Sequence, residues 1–273
     1  MAIITISRQV AALGDEIADA EAKKLGYTFV NRKQIEKRIV ELGFPAEKLN
    51  RYDERKPGFF ASLAKDRDEY LNYLQYAVLE AASGGNCILI GRGAFIILEG
   101  VQNLVSFRFV SDDDVRLLRL KNEFNWHDKQ AQARITESDN NRRGFHKSFF
   151  NLENEDPQHF LLTLNTSKLS LEESVRIIET VVKGYITPQK ETEGTKRVQE
   201  LFKGQSLVNH LLFDYHLNIN FLRASVENQV VTLHGVSDSQ GIAERAVQAA
   251  AKILPSCEIK NAISVVQDFK SYQ

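Results

Sequence analysis

Residues 2–18 read AIITISRQVAALGDEIA, and their order decides the fold. Ile3 to Ile6 is a short β-branched run, the pattern of a buried strand. Ser7, Arg8 and Gln9 then open a loop of small residues that ends at Gly14. Asp15 to Leu25 follows with helical spacing, placing Ile17, Ala18, Ala22 and Leu25 on one side. Asp15 and Glu16 suit the positive end of that helix, and Gly26 suits its stop. A loop at a helix N-terminus is a generic anion site, because unpaired amides point out of it. On these residues alone it reads as the turn of an ordinary strand–helix unit.

The same alternation continues outward. Tyr27 to Val30 reads as a strand, and Asn31 with Gln34 as a capping box. Residues 44–62 read as irregular, and Asp66 to Ala82 as a helix carrying Leu71, Leu74 and Val78 at helical spacing. Cys87 to Ile90 is a second buried strand that runs directly into Gly91-Arg92-Gly93, with Cys87 an inert core thiol. A strand over 104–110, a helix capped by Ser111, a polar helix over 128–149, a strand over 161–164 and a helix opened by Ser170 and Glu173 complete the series. Strands alternating with helices imply an α/β fold with a mostly parallel sheet. Ligands of such sheets sit at the carboxyl ends of the strands, here Ser7–Gly14, Gly91–Gly93 and the start of the Asp112 helix.

After residue 186 the grammar changes. Residues 187–195 (TPQKETEGT) carry Pro and Gly and read as a linker. Beyond them come a helix over 198–213, strands over 217–222 and 229–233 with a turn at Glu227-Asn228, an alanine-rich helix over 239–254 and a strand over 259–266. That is a small α+β module.

Of 273 residues, 35 are basic and 36 acidic, so bulk electrostatic binding of nucleic acid is not expected. Two cysteines cannot form a disulfide framework, which fits a reduced compartment. No apolar run approaches the roughly 20 residues of a membrane span, and the N-terminus lacks the pattern of an export signal. A cytoplasmic protein is expected.

The pattern G-x-x-x-x-G-K-[ST], whose lysine and amides cradle phosphates, is absent. Yet ITISRQ followed by Gly14-Asp15-Glu16-Ile17-Ala18, then Ile90-Gly91-Arg92-Gly93-Ala94, Asp139-Asn140-Asn141-Arg142, Leu164-Asn165-Thr166 and Leu169-Ser170-Leu171-Glu172-Glu173 together resemble the cytidylate kinase-like family of P-loop nucleoside-monophosphate kinases. The resemblance spans about residues 1–185. It implies a P-loop kinase-like domain over 1–186, a parallel sheet flanked by helices. It implies ATP with Mg2+ held by Ser7, Arg8, Gln9, Gly14, Asp15 and Glu16, with Glu16 the metal ligand. It implies an acceptor nucleotide at Gly91, Arg92, Gly93 and Asp139, with Arg92, Arg142 and Arg143 supplying catalytic positive charge. Arginine suits that role because its fork matches phosphate oxygens.

The departures bear on activity. Where the family has Gly-Ser-Gly-Gly, this chain has Ala11-Ala12-Leu13-Gly14, and Cβ-bearing residues resist positive φ. The loop is therefore expected to form a phosphate nest with difficulty, with Leu13 able to occlude it. Asp15 stands where the family has arginine. A catalytically degenerate nucleotide sensor or scaffold is the alternative to phosphoryl transfer. Asp139 can also simply pair with Arg142 or Arg143 along one helix face. Trp126 reads as a packing residue at the start of the lid-like region. Asp53 and Glu54 match a family D-E segment loosely and read as a solvated loop.

The C-terminal module has its own resemblance. Val226-Glu227-Asn228-Gln229-Val230-Val231-Thr232-Leu233-His234-Gly235-Val236, with Ile259-Lys260-Asn261-Ala262-Ile263-Ser264-Val265, is similar to a BON domain over 196–273. Gln229 takes the place of the usual turn glycine. The resemblance implies a protein or lipid ligand for this module.

Overall fold

The computed structural model describes residues 1–49, 52 and 64–266. Asp53 and Glu54 lie outside the described residues. The chain forms two compact units, Met1–Thr195 and Lys196–Gln273.

The first unit is built on five parallel strands: β1 (Ile3–Arg8), β2 (Thr28–Val30), β3 (Cys87–Ile90), β4 (Leu104–Val110) and β5 (Leu162–Asn165). Their order across the sheet is β2-β3-β1-β4-β5. β1 is central, with Ile3 to Ile6 nearly inaccessible to solvent. That burial on both faces is why its sequence is a continuous apolar run. The helices are α1 (Gly14–Leu25), α2 (Arg32–Glu41), α3 (Ala46–Leu49), α4 (Ala64–Ser83), α5 (Ala94–Ile97), α6 (Asp113–Phe124), α7 (Asp128–Phe150) and α8 (Leu171–Tyr185).

One core layer joins Ile4, Ile6, Phe107 and Phe109 of the sheet to Ile17 and Ala18 of α1 and Val175 and Ile178 of α8. Both expected capping boxes form. Asn31 Oδ1 accepts from the Gln34 amide at 3.1 Å, and Ser170 Oγ from the Glu173 amide at 3.2 Å. Burial pushes the Cys87 thiol up to about 12, so it stays protonated.

In the second unit β6 (Asn220–Glu227) pairs antiparallel with β7 (Val230–Ser237), which pairs parallel with β8 (Glu258–Val265). α10 (Gln240–Ile253) and the end of α9 (Pro188–Asn209) cover one face of this sheet, followed by a π-helical turn over 210–214.

Several expectations shift. α3 lies within the stretch read as irregular, the strand expected over 217–222 is β6, and α6 has Asp112 and not Ser111 at its N-cap, with no side-chain cap. The stretch read as a linker is helical from Pro188, forming the first turns of α9: Thr187 Oγ1 accepts from the Lys190 amide at 3.2 Å, which caps the helix. The hairpin turn falls at Asn228-Gln229 and not at Glu227-Asn228, with φ of 47° and 71°. No described helix is long and apolar enough to cross a membrane.

Gln229 holds a left-handed conformation that a glycine adopts freely. Gln229→Gly is expected to stabilise the second unit by about 1 kcal/mol, read as a higher midpoint in urea denaturation.

Glu21 of α1 is fully buried, and neither carboxylate oxygen has a hydrogen-bond partner. Burial, reinforced by the nearby charge of Glu179, raises its pKa from 4.5 to about 7. The unfolded chain releases this proton first, so the contribution of Glu21 to stability is fully present below pH 4.5 and is lost as pH rises to about 7. The linked loss is about 3 kcal/mol. Glu21→Gln should remove this slope from a plot of unfolding free energy against pH and should be the more stable protein at pH 8.

Candidate functional site

The carboxyl ends of β1, β3 and β4 lie side by side where the winding of the sheet reverses, the usual ligand position in such folds. The loop after β1 turns through Ala11 and Leu13, both left-handed with φ of 58° and 54°. The non-glycine loop therefore adopts the positive-φ turns that its sequence was expected to resist. Leu13 is partly buried, and its side chain packs against the core layer. No side chain caps the first turn of α1.

Two arginines of α6 hold this loop. Arg116 Nε donates to the Val10 carbonyl at 3.0 Å, and Arg119 Nη1 to the Ala11 carbonyl at 2.9 Å. Arg116 is only 1% exposed and is fixed in turn by Asp113 at 2.9 Å and by a fork onto both oxygens of Asp139 at 2.9 and 2.8 Å. Arg119 also donates to Thr166, at 2.6 Å to its carbonyl and 3.1 Å to its hydroxyl. Burial lowers the Arg119 pKa, with Glu16 opposing. Neither arginine stood out in the sequence, although spacing of three on one helix places them on one face. The side chains of Val10 and Ala11 pack against a small cluster of Leu120, Ala131 and Ile135, with Trp126 at its margin. Trp126 stacks on Phe124 at 4.6 Å, in keeping with a packing role.

Arg8, Arg92 and Arg142 line one cavity with Ser7, Gly91, Phe95, Phe145 and His146. Its volume is about 10 Å³, room for one water molecule. Each arginine has an acidic partner. Arg8 forks onto Asp15 at 3.2 and 3.4 Å. Arg92, 3% exposed with φ of 54°, bonds to Glu36 and donates to the Tyr52 carbonyl at 3.0 Å, with its guanidinium over the Phe145 ring. Arg142 reaches Asp139 at 3.4 Å. His146 donates from Nδ1 to the Arg142 carbonyl at 2.8 Å, which fixes its tautomer.

Two glycines have steric reasons. A Cβ on Gly14 would stand 2.7 Å from the Arg8 side chain, and one on Gly93 would stand 2.5 Å from the Phe150 ring. The loop at 91–93 thus receives the end of α7.

Other expected positions fall elsewhere. The Gln9 side chain accepts from the Ser111 amide at 3.0 Å, tying the ends of β1 and β4 together. Arg143 is turned away from the cavity lining and bonds to Asn140 at 3.2 Å and not to Asp139. Asp139 sits behind the cavity between Arg116 and Arg142 and not in its wall. Asp15 is committed to Arg8, while Glu16 is exposed. Among the described residues no three His, Cys, Asp or Glu side chains converge as a metal site.

The family model described as the cytidylate kinase-like family matches residues 3–168. A cytidylate kinase from Pyrobaculum islandicum is 24% identical over 179 residues, covering 65% of this chain and 90% of that protein. A crystal structure of an uncharacterised protein from Eubacterium ventriosum aligns with a TM-score of 0.52 at 16% identity, over 67% of this chain and 99% of that one. That likeness is one of fold. The layout of strand, loop and helix and the family match agree, and the chain belongs to the cytidylate kinase-like family.

Proposed function

We propose that the first unit binds a nucleotide through its phosphates at the carboxyl ends of β1 and β3. The observation that carries this reading is the convergence of Arg8, Arg92 and Arg142 on one cavity beside a loop that retains positive-φ turns without glycine. Three guanidiniums around one point suit a phosphate, which each can chelate. The uncapped first turn of α1, with the backbone at 9–16, suits the phosphates of ATP. In an active kinase Arg92 would hold the acceptor phosphate, with Arg142 and the more exposed Arg143 offsetting charge on the transferring group. Transfer of that kind rests on positioning and charge neutralisation rather than on covalent help from the protein.

A second reading has its own support. Asp15 neutralises Arg8, and the cavity is closed by its own side chains. Both features favour a nucleotide sensor without turnover, in which the BON-like second unit contacts a protein or lipid. Transfer of the ATP γ-phosphate to CMP, followed by product analysis, separates the two readings.

Trp126 is the chain's only tryptophan and borders the cluster that holds Val10 and Ala11. Its fluorescence should therefore change as MgATP is added, and calorimetry with CMP should report the arginine cavity. Asp15→Asn releases Arg8 from its fork and is expected to tighten nucleotide binding about tenfold, or 1.4 kcal/mol. Failure of MgATP and CMP to bind either protein at millimolar concentration would overturn the nucleotide reading.

A further inference from the structure

We propose that Arg116 and Arg119 are positioning residues for the loop at 9–14, and that Asp139 ties the hold of Arg116 to Arg142 in the cavity wall. Ala11 and Leu13 occupy a conformation that disfavours side chains bearing a Cβ. Something outside the loop must hold it there. The two α6 arginines grip adjacent carbonyls, of Val10 and Ala11, from positions one helical turn apart. Their other donors are anchored on different elements. Arg119 is anchored at Thr166, beyond the end of β5, and Arg116 at Asp139 on α7. The loop is thus suspended between the sheet and the lid-like helix.

Asp139 is shared. Its fork with Arg116 is short, at 2.8 and 2.9 Å, and its contact with Arg142 is long, at 3.4 Å. Both guanidiniums are largely shielded from water, at 1% and 12% exposure, which limits screening. An anion in the cavity attracts Arg142 and weakens its contact with Asp139. The carboxylate is then left to Arg116, and the grip on Val10 tightens. Occupation of the cavity is thereby felt at the loop through one carboxylate. Its relevance to nucleotides rests on the nucleotide-binding reading, whereas the bonds can be tested in the unliganded protein.

The experiment is hydrogen exchange of the full chain, followed by mass spectrometry of peptides spanning residues 7–18. Asp139→Asn should speed exchange in these peptides about tenfold while peptides from α8 and from the second unit stay as in wild type. Asp139→Glu, which keeps the carboxylate, should restore most of the protection. Arg142→Ala should slow exchange about threefold, because Asp139 then serves Arg116 alone. Arg119→Lys cannot reach Ala11 and Thr166 together and should speed exchange independently of Asp139; it carries the test if Asp139→Asn fails to fold. Unchanged loop exchange in Asp139→Asn and in Arg119→Lys would overturn the positioning role. Unchanged or faster exchange in Arg142→Ala would overturn the link to the cavity. None of these outcomes depends on whether MgATP or CMP binds, so failure here is distinct from failure of the nucleotide reading.

Discussion

Left-handed backbone at Ala11 and Leu13 is the constraint around which the functional end of the sheet is arranged. Each such residue costs about 1–2 kcal/mol relative to glycine. Two kinds of contact offset this. Below the loop, Leu13 packs against the core layer between β1 and α1, where a glycine would offer no apolar surface. Above it, Arg116 and Arg119 donate to the carbonyls that the turn presents. The shape of the loop thus comes from tertiary contacts and not from the intrinsic freedom of glycine.

Those contacts are charged, and that choice spreads through the site. A buried arginine is tolerable only when it is paired and hydrogen-bonded. Arg116 requires Asp113 and Asp139, Arg92 requires Glu36 and the Tyr52 carbonyl, and Arg8 lies on Asp15. The result is positive groups facing one cavity, with compensating carboxylates behind or beside it. A phosphate entering the cavity competes with carboxylates for the same guanidiniums. Binding is then an exchange of partners, and the net gain is smaller than the number of arginines suggests. Asp15 is the exposed competitor, so its side chain sets how available Arg8 is.

The fold was legible wherever local chemistry decided it. The strand at 3–6, the glycine break after β3 and both capping boxes depend on residues within a few positions of one another. The helical start of α9 was not legible, because Gly194 reads as a breaker. In the fold it is buried against Asn103, where a Cβ would collide, and Thr187 supplies the cap. The site divides in the same way. Arg8, Arg92 and Arg142 carry a family pattern and converge. Their partner Glu36 and the two α6 arginines act across 56 and more than 100 residues of sequence, a pairing that no local spacing announces. The packing of Leu13 against the core is a tertiary contact of the same kind.

Gln229 is a useful contrast to Ala11. It too stands in a left-handed conformation, at the tip of the β6–β7 hairpin. Its neighbour Asn228 is held by Lys196 through the side chain and by Glu200, which accepts from the Asn228 amide at 3.3 Å. These contacts are exposed, and two antiparallel strands already impose the turn. Losing a charge there leaves the hairpin register in place, because the ladder carries it. At Ala11 no strand pairing continues through the loop, so the grip of buried charges is what specifies the conformation. Strain held by a hairpin is insensitive to nearby charge, whereas strain held by buried ion pairs shifts when a charge is added or withdrawn. Of these two turns, the one beside the arginine cavity is the one whose conformation rests on buried charged contacts.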